Sequence, residues 1–115
     1  MSYDYFLWRM KKVVTSNEID ETTVKTWTDL DELRSALSEV VPSLVWRNDR
    51  HGADDCSGAS SVSAVSLPTQ GKAHDPLVIR ASRRVVSRDD LLNVGKSLQC
   101  LVYDAQTGEI VYQPD

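Results

Sequence analysis

Four apolar residues, Leu30, Leu33, Leu37 and Val40, recur at spacings of three and four between Thr28 and Pro42. In an α-helix that spacing puts all four on one side, with Asp31, Glu32, Ser35 and Glu39 around the rest. A short helix with one apolar stripe does not persist alone in water, so the chain must supply a second layer for it to lie on. Thr28-Asp29-Leu30-Asp31 opens the segment in the manner of a capping box, with Asp31 where Glu or Gln is usual. The Thr28 hydroxyl is predicted to accept from an orphan N–H, and the acids suit the positive helix end. Pro42 stops the helix. A second segment of this kind opens at Ser87, where Ser87-Arg88-Asp89-Asp90 repeats the capping logic. Leu91, Val94 and Leu98, with Leu92 beside them, form its apolar face. Gly95 lies inside it, at a cost of about 1 kcal/mol relative to Ala, and reads as a mark of close contact with a sheet.

The second layer is predicted from short apolar or alternating segments. Tyr3 to about Arg9 reads as a strand, continued toward Val14; Thr23–Trp27 as a short one; Leu44–Arg47 as a buried one; then Val62–Leu67 and Leu77–Ala81. Cys100–Tyr103 and Glu109–Tyr112 read as a hairpin joined through Asp104-Ala105-Gln106-Thr107-Gly108, with Gly108 supplying the positive φ of a bulged turn. Thr15–Thr22, Asn48–Ser61 and Pro68–Pro76 carry turn chemistry and read as loops. With no strict βαβα alternation, the order predicts an α+β fold: a mainly antiparallel sheet of five to seven strands, two helices packed on one face, and a C-terminal β-hairpin. At 115 residues the chain is expected to form a single domain over residues 1–115, large enough to need neither disulfide nor metal.

No apolar run is long enough to span a membrane, and the charges near the N-terminus follow the apolar stretch rather than precede it, unlike a signal peptide. The expected address is the cytoplasm, with Cys56 and Cys100 as free thiols and Cys100 a small buried hydrophobe. The loop Asn48–Gly58 holds the densest set of reactive side chains, and His51, Asp54, Asp55 and Cys56 together offer an alternative reading as a small metal-binding protein or enzyme. No His-x-x-x-His, Cys-x-x-Cys or calcium-loop spacing accompanies them, the glycines are too dispersed for a phosphate-binding loop, and Ser57 lacks a nucleophile elbow. His74, beside Asp75, reads as a surface-loop histidine. No catalytic residue, metal or cofactor is therefore expected.

Charge is more directive. Between Glu18 and Glu39 the acids Glu18, Asp20, Glu21, Asp29, Asp31, Glu32 and Glu39 are opposed only by Lys25 and Arg34, a local balance of −5 against −4 for the whole chain. Arg80, Arg83, Arg84 and Arg88 put four positive charges into nine residues. The acidic segment reads as a docking surface for a basic partner, or as a solvated helix face. The arginines are expected to pair with it rather than to bind nucleic acid, since no aromatics are interleaved to stack bases and the net charge is negative. On an alternating first strand Tyr3, Tyr5 and Leu7 point one way and Asp4, Phe6 and Trp8 the other. A two-layer fold cannot bury both faces fully, and an exposed aromatic beside the acidic segment would suit a partner anchor.

The opening Ser2-Tyr3-Asp4-Tyr5-Phe6-Leu7-Trp8-Arg9 and the closing Val102-Tyr103-Asp104-Ala105-Gln106-Thr107-Gly108-Glu109-Ile110-Val111-Tyr112 resemble segments of small bacterial immunity proteins of contact-dependent growth inhibition and related polymorphic toxin systems. The resemblance implies a non-enzymatic protein that binds and blocks a cognate toxin domain, commonly a nuclease, in the cytoplasm. With a basic toxin, Glu18, Asp20, Glu21, Asp29, Asp31, Glu32 and Glu39 would supply the charge, Trp27 or a loop aromatic an apolar anchor, and Asp49, Asp54 and Asp55 a second acidic surface. No direct nucleic-acid or membrane partner is expected.

Overall fold

The central strand, β1 (Tyr3–Met10), pairs along both edges. The computed structural model describes residues 3–20, 22–27, 29–48, 50–54, 62–68, 75–81 and 88–114. Its other strands are β2 (Val24–Lys25), β3 (Val45–Trp46), β4 (Gly52–Asp54), β5 (Val62–Ser66), β6 (Leu77–Ala81), β7 (Leu101–Asp104) and β8 (Glu109–Tyr112). Helix α1 spans Leu30–Val40 and α2 spans Arg88–Leu98; Ser16–Glu18 form a 3-10 turn. The strands make one sheet in the order β3-β4-β5-β6-β1-β7-β8, with β2 on the far end of β1, and every pairing is antiparallel. The fold is α+β, as the segment order predicts.

Phe6 faces Val78 of β6 and Tyr103 of β7, which fixes the register on both sides of β1. Because side chains alternate, Tyr5 and Leu7 share a face with Leu77, Ile79, Ala81, Val65, Ala53 and Val102. Both helices lie on that face. Leu33, Leu37 and Val41 from the first helix and Leu91, Val94 and Leu98 from the second close the main core. Leu30 and Val40, at the ends of the predicted stripe, are half-buried.

Gly95 is a packing requirement. A Cβ there would sit 2.8 Å from a ring carbon of Tyr112 and 2.9 Å from a methyl of Val102, so the close approach of α2 to the sheet is what the glycine permits. In the closing hairpin the Asp104 carboxylate accepts from the Gln106 and Thr107 amides at 2.9 and 3.3 Å, and Gly108 takes a φ of 77°. The turn chemistry is as predicted.

Three expectations need correction. The cap of the first helix is Asp29, whose carboxylate accepts from the Glu32 amide at 3.0 Å; Thr28 lies outside the described residues. The strand expected to be buried at Leu44–Arg47 is a two-residue edge strand: Leu44 is buried, but Val45 is 64% exposed because its face of the sheet carries no helix. The loop expected over Asn48–Ser61 contains β4, so the sheet has one strand more than the upper count. Turn-forming residues become a strand there because β3 and β5 pair on either side, with Ala53 fully buried and Arg50 turning the chain at φ 59°.

Gly95→Ala is expected to destabilise the protein by about 1–3 kcal/mol through overpacking, against the ~1 kcal/mol by which Ala favours a helix. A lowered urea midpoint that Tyr112→Ala partly restores would bear this out; a raised midpoint would refute it. Burial pushes the fully buried Cys100 thiol up to about 12, against the opposing pull of the Arg9 charge. On a Cys56→Ser background it should therefore resist alkylation at mildly alkaline pH until the chain is unfolded, as mass spectrometry of the labelled protein would show.

Candidate interaction surface

The face of the sheet turned away from the helices carries its own apolar cluster. Trp8 and Leu101 are buried there with Val14 and Val24, and Phe6, Met10, Ile19, Tyr103 and Ile110 pack against them half-buried. None of these residues comes from either α-helix. Phe6 stacks on Tyr103 at 6.3 Å between ring centroids and 14° between planes, and Trp8 meets Phe6 edge-on at 5.9 Å and Tyr103 at 6.0 Å. The cross-strand register puts Phe6 opposite Tyr103, so the stack is a product of pairing rather than of local sequence. Phe6, Trp8 and Tyr103, with Ser16, Ile19 and Pro76, line an open depression of about 380 Å³.

Ser16 and Ile19 bring the Ser16–Asp20 turn to this depression, and Glu18 and Asp20, both exposed, flank Ile19 in the chain. Glu18 accepts from the Thr15 amide at 2.9 Å and the Thr15 hydroxyl at 3.0 Å, which holds its carboxyl below the usual range. Asp20 accepts from the Thr22 amide at 2.8 Å and the Thr22 hydroxyl at 2.6 Å. These bonds fix the loop that presents Ile19.

The helix acids have structural partners. Asp29 caps the helix. Asp31 is held by Arg34 in a hydrogen-bonded pair, with Arg50 3.9 Å away, and the Arg34 contact lowers its pKa. Glu32 pairs with Arg9 at 3.2 Å. Asp54 pairs with Arg47 at 3.3 Å across the β3–β4 hairpin. Glu39 is exposed and makes no ion pair among the described residues. Glu21, Asp49 and Asp55 lie outside the described residues.

Trp27 cannot serve as a surface anchor. It is 1% exposed in the main core, and its indole N–H donates to the Asp75 carbonyl at 3.1 Å. Of the arginine cluster expected to pair with the acidic segment, Arg80 pairs with Asp4 on the neighbouring strand at 3.2 Å, and Arg9, Arg34 and Arg50 meet the helix acids. Arg83, Arg84 and the side chain of Arg88 lie outside the described residues, as do Cys56 and His74. His51 is exposed beside β4, and among the described residues no group of three or more His, Cys, Asp or Glu side chains is placed to share a metal ion. No helix among them is long and apolar enough to cross a membrane.

Arg9 is the organising residue that sequence reasoning missed. Its guanidinium lies 5.3 Å from the Trp27 ring centre, donates to the Leu98 carbonyl at 3.4 Å and pairs with Glu32, so it ties β1 to both helices. Its position on the core face of an alternating strand, at the end where the core opens, is the signal that could have found it. Comparison with protein-family models, with curated proteins and with solved structures finds no match.

Because the folded-state pKa values of Asp31 and Glu18 are depressed, the stability they contribute is present above the ordinary carboxylate value of about 4 and is lost as pH falls through the folded-state values. Asp31→Asn together with Glu18→Gln should flatten the acid limb of the stability-versus-pH curve and leave its slope near neutrality unchanged. Denaturant titrations across that range check both parts.

Proposed function

We propose that this chain is a non-enzymatic immunity protein that binds a cognate basic toxin domain in the bacterial cytoplasm and neutralises it. The observation that carries the reading is the aromatic depression of Phe6, Trp8 and Tyr103 on the sheet face away from α1 and α2, lined also by Ile19, whose chain neighbours Glu18 and Asp20 are exposed. A rigid aromatic patch with a polar, charged rim has the composition of an interface centre, and the carboxylates complement a basic partner such as a nuclease. The burial of Trp27, the capping role of Asp29 and the pairing of Asp31 and Glu32 within the fold favour this face over the first helix as the docking surface. The resemblance of Ser2–Arg9 and Val102–Tyr112 to immunity proteins falls on the strands that build it.

Co-expression with the product of the adjacent reading frame, followed by affinity capture and titration of the purified pair, tests the proposal. Phe6→Ala with Tyr103→Ala is expected to weaken the complex by about 30-fold or more, the loss associated with removing an interface hot spot of about 2 kcal/mol. Glu18→Lys with Asp20→Lys should slow association, most at low ionic strength, whereas Glu39→Lys should change little. Unaltered binding by the first two pairs, with folding verified by circular dichroism, would remove this surface from the proposal. Failure of the wild-type chain to hold any neighbouring gene product would remove the immunity reading itself.

A further inference from the structure

A second concave region lies where β1 runs out of the sheet, around Met10. Two clefts adjoin there, of about 510 and 320 Å³, sharing Met10, Lys25 and Gln99. Arg9, Thr26 and Ser97 line the larger, and Lys11, Lys12 and Gln113 the smaller. Their walls are pinned by hydrogen bonds. The Lys11 amide donates to the Thr23 carbonyl at 2.8 Å. The Gln113 side chain pairs with both backbone groups of Val14, at 2.9 and 2.8 Å, and fastens the C-terminal segment beside Lys11 and Lys12. Gln99 turns the chain out of α2 at φ 52°, with the Cys100 amide closing on the Gly95 carbonyl at 3.0 Å.

The described arginines and the cleft lysines differ in how their charges are met. Each arginine whose side chain is described, Arg9, Arg34, Arg47, Arg50 and Arg80, has a carboxylate partner within 4 Å. Lys11, Lys12 and Lys25 are exposed and have none among the described residues. A chain of net charge −4 thus gathers three unpaired ammonium groups around one pair of clefts. Like charges held together raise the local potential, and an anion seated between them relieves it.

We propose that these clefts bind a compact polyphosphate anion through Lys11, Lys12 and Lys25, with Gln99, Thr26 and Ser97 supplying neutral donors. Lysine is suited to phosphate as a compact charge with three rotatable donors, and the combined space is that of a small-molecule site. Phosphate is favoured over an extended nucleic-acid strand because the carboxylates of Glu18 and Glu32 border the region: Glu32 lines the larger cleft and Glu18 senses the Lys12 charge. A long phosphate backbone would be driven across them, whereas a short anion is not. Among the described residues no aromatic side chain lines either cleft to stack a base, so recognition falls on the phosphates.

The test is isothermal titration of the intact chain at low ionic strength with inorganic tripolyphosphate, with a nucleoside triphosphate and with a single-stranded oligonucleotide. Saturable one-to-one binding of tripolyphosphate is expected, weakening with added salt and matched within a fewfold by the nucleoside triphosphate. Lys12→Gln with Lys25→Gln should weaken it about tenfold or more, while Arg47→Gln, on the distant edge hairpin, should not. Because Lys12 and Lys25 make no salt bridge among the described residues, an unchanged melting temperature is expected to accompany that loss. Absence of saturable tripolyphosphate binding, equal affinity in the lysine double variant, or markedly tighter binding of the oligonucleotide would each overturn the proposal. None of these readouts depends on the toxin partner.

Discussion

The structure depends on the double pairing of β1. Tyr5, Phe6 and Leu7 each face a residue of β6 on one side and of β7 on the other. That pairing joins the meander β3–β6 to the C-terminal hairpin, and it turns one eight-residue strand into a contributor to two apolar clusters. Leu7, fully buried, belongs to the helix-covered core, and the next residue, Trp8, belongs to the cluster on the opposite face. A one-residue slip would exchange the two faces, so both clusters hold the register together.

The same arrangement explains the electrostatics. The end of β1 leaves the covered core at Arg9, whose guanidinium lies on Trp27 and reaches Glu32 and the end of α2. Beyond it the chain emerges into solvent at Lys11 and Lys12, where it meets Lys25. Of the acids that look like a continuous docking stripe in sequence, four are drawn by the fold into caps and ion pairs. Asp29 and Glu18 stabilise chain turns, and Asp31 and Glu32 meet arginines from three different segments. Exposed pairs of this kind contribute little to stability individually. Their consequence is that these acids are engaged within the fold, whereas Lys11, Lys12 and Lys25 have no carboxylate partner among the described residues.

Much of the architecture was legible where a local rule and a global requirement agree. The Leu30–Val40 stripe, the Leu91–Leu98 face, the hairpin turn ending at Gly108 and the tight place marked by Gly95 follow from helical period, strand alternation and the steric freedom of glycine. β4 was not legible, because Gly52-Ala53-Asp54 has no strand preference of its own and is extended only by the strands on either side. The candidate surface was half legible. The alternation of Phe6 and Trp8 against Tyr5 and Leu7 could be read, and so could the acids near them. That Tyr103 would stack on Phe6 could not, since the two are brought together by cross-strand register.

By itself, then, the sequence determined the class of fold, the two helices, the closing hairpin and the two-sided character of the first strand, because each rests on periodicity or backbone sterics within a few residues. Only the tertiary structure decided which aromatic is core and which is surface, which acids are occupied by arginines, and where lysines remain unpaired. Those outcomes depend on contacts between segments far apart in the chain: Trp27 against the Asp75 carbonyl, Glu32 against Arg9, Gln113 against Val14. A local pattern fixes the face on which a side chain stands, but the partner it meets there is set by strand order and register.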